Sequence, residues 1–497
     1  MSDKVKTLIF LIVAAVLVAV AWWVVPRSGM PELFNDQGEL FYPTFEALSA
    51  TTVEVVEYNE TKGDTRVFKV AFRDKRWVIP SHEDYPADAE RQLAKTTAVV
   101  NDLAKGAIRS DRKSDFEKLG VQDPLSEDHV GGGVGMRVTL RDASERVLSD
   151  LIIGKPVTGA EGQYFVRRPD SNRTYACRID PSGISTRFAD WVETDLLKAP
   201  KGKIDHVVLD NYSIDEQRMA RIAGETLTLV KDDNDVWTLK GGIDAAEQMS
   251  TEKVDGMMDA LASVTLVGVR RKPEGLVDAI RRVRKGETIS TREGLNILRL
   301  RAIGFYAGGD PRTGLRIFSN EGETRVACSD GVVYTLYFGE VLYGDPDEIS
   351  GKSEQKEADA SKKDKDDVEA PRGAEHRYVM IEANFDASLL GEKPVKPAEP
   401  AKVKDAKPED AKKAEEAHKA AVKTYEDALK AYENRVAEGE TRVKELSDRF
   451  DDWFYVISAE AFRSLHLSRK DLVEKKPEPK PEPKPEPKPD AKAPATK

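Results

Sequence analysis

The chain has 497 residues, a formal net charge of −11, 33% charged and 40% hydrophobic residues. That length supplies roughly three domain-sized units, and an acidic mixture of Lys, Arg, Asp and Glu excludes the electrostatic footprint of a nucleic-acid binder. Two cysteines, Cys177 and Cys328, exclude a disulfide scaffold and leave either one bridge or two buried thiols.

The N-terminus is apolar and uncharged from Thr7 to Val25, TLIFLIVAAVLVAVAWWVV. A helix of about 19 residues at 1.5 Å each just spans a hydrocarbon core of roughly 30 Å. Lys4 and Lys6 precede the run, and Trp22 and Trp23 close it, which suits an N-terminus held in the cytoplasm. Residues 1–27 are therefore read as a cytoplasmic stub and a transmembrane helix. The competing reading is a cleaved secretory signal with Ala19-Val20-Ala21 as its small-residue site. The apolar run continues through Val25, beyond that site, which favours a retained anchor. In both readings the body leaves the cytoplasm.

The body reads as two related units, 45–200 and 201–390, the second completed by 451–473. Residues 66–108 and 225–269 share one order: an alternating strand, a charged turn, a Trp-centred strand, a polar loop and an amphipathic helix. Trp77 answers Trp237, and Leu93, Val100 and Leu103 answer Val254, Met258 and Leu261 at near-helical spacing. Each unit opens on a β-branched run, at Val53 and at Ile204. Downstream, Phe116–Gly120 resembles Leu300–Gly304, a short helix ending on a capping Gly. Hairpins follow from Met136 and from Leu315, the latter with a tight Asp330-Gly331 turn. The strands from Gln163 and His376 then correspond, as do Asp190-Trp191 with Asp452-Trp453 and Asp195–Leu197 with Asp471–Val473. This order predicts a tandem repeat: an α+β fold of two mainly antiparallel sheets, each with one principal packed helix.

The second unit carries two insertions. Residues 351–371 are almost wholly charged and read as a solvated loop. Residues 391–450 begin rich in Pro, Lys and Ala, then place Val422, Tyr425, Leu429, Tyr432 and Val436 at spacings of 3, 4, 3 and 4. That is a coiled-coil-like seam, read either as a projecting helical arm or as one amphipathic helix lying on its own domain. Residues 474–497 repeat Pro, Glu and Lys and read as an extended, disordered tail.

The anchor, the repeated strand–Trp-strand–helix unit, the DGVVYTLYFG hairpin from Asp330 and the closing segment from Phe450 to Val473 together resemble the bacterial DUF4340 family, a domain of unknown function. The resemblance covers roughly residues 45–473 without the insertions. It implies a bacterial protein anchored by a single pass in the cytoplasmic (inner) membrane, with its body in the periplasm or outside the cell. Some members of the family are encoded beside ABC-type transporter components. The resemblance supplies no functional residues.

Catalytic signatures are scarce. Gly351-Lys352-Ser353 ends like a phosphate-binding loop, but Pro346 stands where that motif requires Gly. Gly131–Gly135 lacks the third Gly of a dinucleotide fingerprint, since Met136 follows, and reads as a lead-in to the hairpin. His82, His129, His206, His376, His418 and His466 show no local metal-ligand spacing. Trp77, Trp237, Trp191 and Trp453 read as core packing. No residue is assigned a catalytic, cofactor-binding or metal-binding role. The expected function is a non-catalytic scaffold or accessory subunit of an envelope complex, with protein partners and no cofactor. Binding of a cell-wall polymer is the alternative reading, and an unrecognised enzyme the third.

Overall fold

The computed structural model describes residues 36–61, 63–126, 132–193, 195–232, 234–264, 266–310, 314–344, 373–399 and 408–476, with Ala15, Val16 and Ile349. Thr7–Val25 otherwise lies outside the described residues, as do the charged segment 351–371, residues 400–407 and residues 477–497. Among the described residues no helix is long and apolar enough to cross a membrane.

The chain is α+β and divides into two compact units: Met1–Val78 with Ala89–Thr186, and Ile79–Asp88 with Arg187–Lys497. The boundary falls earlier than the predicted 200/201. The reason is the short turn Phe188–Trp191, which packs on a strand of the second unit and buries both aromatic side chains. His82, from the Ile79–Asp88 excursion, stacks on Phe188 with ring centroids 4.5 Å apart.

The strands of the first unit are β1 (Thr52–Asn59), β2 (Asp64–Arg73), β3 (Arg76–Ile79), β5 (Ala107–Ser110), β6 (Met136–Arg141), β7 (Val147–Pro156), β8 (Gln163–Arg167) and β9 (Thr174–Arg178), with β4 (Tyr85–Pro86) falling in the excursion. They lie in the order β3-β2-β1-β6-β7-β8-β9-β5. The second unit contributes β10 (Ile204–Asp215), β11 (Ala220–Lys231), β12 (Trp237–Leu239), β13 (Glu247–Met249), β14 (Leu266–Arg271), β15 (Phe305–Asp310), β16 (Gly314–Ser319), β17 (Glu323–Cys328), β18 (Val332–Gly344), β19 (Ala374–Phe385), β20 (Trp453–Ser458) and β21 (Val473–Lys475). Its main sheet runs β12-β11-β10-β17-β18-β19-β20-β14, antiparallel throughout, the same order strand for strand.

Helix α1 (Glu90–Val100) buries Leu93 and Val100, and its counterpart in the second unit buries Val254, Met258 and Leu261; Leu103, expected in the first helix, lies beyond its end and is buried from the loop that follows. The short α2 (Phe116–Leu119) ends on Gly120 at φ 72°, and the turn Leu300–Ile303 ends on Gly304 at φ 80°. A side chain at Gly304 would lie 2.4 Å from the Glu340 amide nitrogen, so the strand leaves room for none.

Three expectations are corrected by this topology. Trp453 opens β20, whose counterpart is β9, whereas Trp191 lies in a turn beyond β9; the pairing of Asp190-Trp191 with Asp452-Trp453 fails. The second unit also carries more than one principal helix. Besides α3 (Thr251–Ala262) it has α4 (Leu276–Arg284), α5 (Thr291–Arg299), the long α6 (Pro408–Phe450), α7 (Ala459–Leu465) and α8 (Arg469–Leu472). Helices α4 and α5 bury Leu276, Ala279, Ile280 and Ile297 in a cluster with Tyr337, Tyr378, Phe454 and Val456. Tyr455, on the opposite face of the same strand, meets Phe450 of α6 edge-on at 6.2 Å. Cover on both faces explains why WFYVIS from Trp453 is apolar without alternation. The tail begins later than residue 474, because Glu474 and Lys475 pair with Gln248 and Glu247.

Candidate functional site

Helix α6 spans 43 residues, about 64 Å at 1.5 Å per residue. Its last turns are the part fixed in the unit. Leu446 and Phe450 are buried there, and Arg442 reaches Asp330 at 3.3 Å and also donates to the Lys198 carbonyl. Lys203 meets the same Asp330 carboxylate at 3.3 Å. Gly439 lies against Phe385 so closely that an added Cβ would sit 2.4 Å from the ring. Farther out, Arg435 donates to the Leu390 carbonyl at 3.1 Å. Val436 beside that contact and Val422, Tyr425, Leu429 and Tyr432 beyond it are half-buried, while the positions between them are exposed. Pro394 and Pro397 in the extended stretch before the helix are half-buried as well. The 3-4-3-4 spacing places the five helical residues on one stripe.

The root is locked by a buried cation. Lys272 is only 7% exposed. Its Nζ donates to the Phe450 carbonyl at 3.0 Å, and its backbone N–H donates to the Asp452 backbone carbonyl at 2.7 Å. Burial pulls its pKa down to about 8, although Asp451, Glu382 and Asp452 act in the opposite direction. Asp451 is paired with Arg281 at 2.5 Å, and burial holds its own pKa above the usual carboxylate range. Lys272, Arg281, Asp451 and Asp452 line a recess of about 720 Å³ together with Glu274, Asp278 and Asp448. An amine held on a helix-terminal carbonyl completes the C-terminus of that helix. The arrangement fixes the C-terminal end of α6 beside the end of β14.

The residues weighed from the sequence fall in separate places. His82 is buried on Phe188, His376 is buried with Nε2 3.2 Å from the Gly344 carbonyl, and His466 stacks on Phe462. Burial lowers the pKa of His466. His206 is exposed and His418 half-buried, and His129 lies outside the described residues. Among the described residues no group of His, Cys, Asp or Glu could hold a metal ion. Cys177 and Cys328 are free, buried thiols, with pKa values pushed up to about 11 and about 12 by burial. Trp191 and Trp453 are core residues, but Trp77 and Trp237 are half-buried on outer strands; Trp77 is edge-on to Phe72, and Trp237 lies 5.5 Å from the Lys231 Nζ. Gly351–Ser353 and Gly131 lie outside the described residues. Lys272 escaped the sequence reading because an Arg-Arg-Lys-Pro run looks like solvated charge.

Residues 77–279 match the model of DUF4340, a domain of unknown function, and over that stretch the chain resembles the family. The match is narrower than the sequence motifs suggested: it runs from β3 to α4 and leaves out the Asp330 hairpin and the closing segment. No curated protein and no solved structure shows significant similarity to the chain.

Proposed function

We infer that the chain is a non-catalytic scaffold or accessory protein of a bacterial envelope complex, working beside an ABC-type transporter. In this reading residues 1–27 anchor it in the cytoplasmic membrane and its body lies in the periplasm or outside the cell. The two units derive from one ancestral unit, and the inserted helix is the device that reaches a partner. The observation that carries the reading is α6: a 43-residue helix clamped at its C-terminal end, with an apolar stripe continuing upstream of the clamp. A helix that only completed its own unit would need no such length. Apolar residues at i, i+3 and i+7 are the anchors by which an amphipathic helix enters a partner's groove or a second helix.

The test is affinity purification from native membranes after mild cross-linking, comparing the wild-type chain with Tyr425→Glu/Tyr432→Glu. Recovery of a specific membrane assembly by the wild type, lost in the double variant, is the expected result. Recovery of the same assembly by both would remove the arm from the contact. Recovery of the chain alone by the wild type would count against a scaffold.

A further inference from the structure

We propose that the face of α5 turned to solvent is a binding site for the phosphate-bearing headgroup of an anionic phospholipid. A pocket of about 330 Å³ opens between the end of β14 and α5, lined by Arg271, Arg292, Arg299, Asn296, Leu295 and Glu274, with Pro273 at its edge. Its arginines differ from their neighbours. Arg281 is paired with Asp451, Arg282 with Glu293, and Arg284 with Glu382 at 2.9 Å. Arg271, Arg292 and Arg299 have no carboxylate partner among the described residues; Arg271 lies 5.9 Å from the Trp453 ring. Three guanidinium groups therefore meet one carboxylate, Glu274, in the pocket wall. Like charges gathered without counter-charges repel one another, and an anion placed among them relieves that repulsion.

The second observation is Asn296. It is 8% exposed, it lines the same pocket, and its amide has no hydrogen-bond partner among the described residues. Its amide faces the pocket with its hydrogen-bonding capacity open to a ligand. A tetrahedral phosphate oxyanion supplies acceptors both for that amide and for the planar guanidinium forks, which match phosphate geometry two bonds at a time.

The order of residues around α5 selects an amphiphile over free phosphate. At 3.6 residues per turn, the exposed arc passes from Leu298 through Leu295, Arg299 and Arg292 to the buried Asn296. Leu298 and Leu295 are 51% and 52% exposed. Apolar side chains therefore occupy one edge of the cationic site, where a ligand with an acyl chain would continue. A basic and apolar helical face of this kind is how proteins engage anionic lipid at an interface. This assignment stands independently of the role inferred for α6.

The experiment is native mass spectrometry of the detergent-solubilised full chain, titrated separately with phosphatidylglycerol, phosphatidylcholine and inorganic phosphate. The wild type is expected to retain phosphatidylglycerol in preference to phosphatidylcholine. Arg292→Gln/Arg299→Gln should weaken phosphatidylglycerol binding about tenfold or more, and Arg301→Gln, which removes an arginine outside the pocket lining, should not. Leu295→Ser/Leu298→Ser should weaken phosphatidylglycerol and leave inorganic phosphate unaffected. All substituted side chains are exposed, so a thermal melt unchanged from wild type is the check on folding. Equal retention of the two lipids, equal loss in Arg301→Gln, or wild-type binding by the double arginine variant would overturn the site. Saturable phosphate binding with no gain from the acyl chains would overturn the lipid assignment.

Discussion

Replacing Lys272 by Met should stabilise the second unit at neutral pH, and the gain should vanish as the pH rises. The ammonium is buried on the Phe450 carbonyl, and its pKa falls from 10.5 to about 8. In the unfolded chain the amine regains its ordinary value, so between those two pH values the unfolded state binds more protons. Stability contributed by this group therefore rises with pH across that window. Below pH 8 both states are protonated and the full penalty is present, on the order of 3 kcal/mol from the difference in pKa. Met removes the penalty but leaves the Phe450 carbonyl without its donor, a loss of about 1–3 kcal/mol. The balance at pH 7 is a net gain between about zero and 2 kcal/mol. The sharper quantity is the change in that balance. The stability of Lys272→Met relative to wild type should fall by roughly 2–3 kcal/mol between pH 7 and pH 10, whatever the hydrogen bond is worth. Urea unfolding of both proteins at a series of pH values gives this difference directly, because titrating groups that do not interact with Lys272 cancel. A difference independent of pH would refute the account of Lys272 as a buried cation at the root of the arm.

Gly439→Ala should destabilise by about 1–3 kcal/mol through overpacking, since its Cβ would meet the Phe385 ring and the Asp330 carbonyl. An exposed helical site would show the opposite sign, a gain of about 1 kcal/mol for Ala over Gly, so a thermal melt separates the two cases. Cys177 and Cys328, buried with raised pKa values, should resist iodoacetamide at pH 8 in the native chain and both react in urea. Rapid native alkylation of either would contradict its burial. Truncating Phe450, fully buried beneath Tyr455, to Ala should cost about 3–5 kcal/mol. Tyr425→Ala, half-buried in the outer seam, should cost much less, as denaturant midpoints will show.

The sheet framework was legible where local chemistry and tertiary environment agree. The Asp330-Gly331 turn, the αL glycines at Gly120 and Gly304, the helical pair Leu93 and Val100 and the helical triplet at Val254 are each specified within a few residues. The long seam from Val422 to Val436 was legible for the same reason. Helices α4 and α5 were missed because their buried set, Leu276, Ala279, Ile280 and Ile297, is sparse among arginines that give the segment a solvated look. Trp191 and Trp453 were wrongly paired because a shared Asp-Trp dipeptide is a weaker guide than strand order. The clamp at Lys272 joins β14 to the end of α6, and the arginine pocket joins Arg271 to α5. Neither site is written in local spacing, because each exists only once the strand and the helices are folded together.

Site-specific photo-cross-linking of the full chain in native membranes asks whether α6 is a partner-binding arm. The probe is placed at Tyr432 in the seam and, as a control, at Asp235 in the exposed turn before β12. A partner-binding α6 gives a discrete heterologous adduct from Tyr432 and none from Asp235. Adducts from Asp235 alone, or the same adducts from both positions, would contradict it.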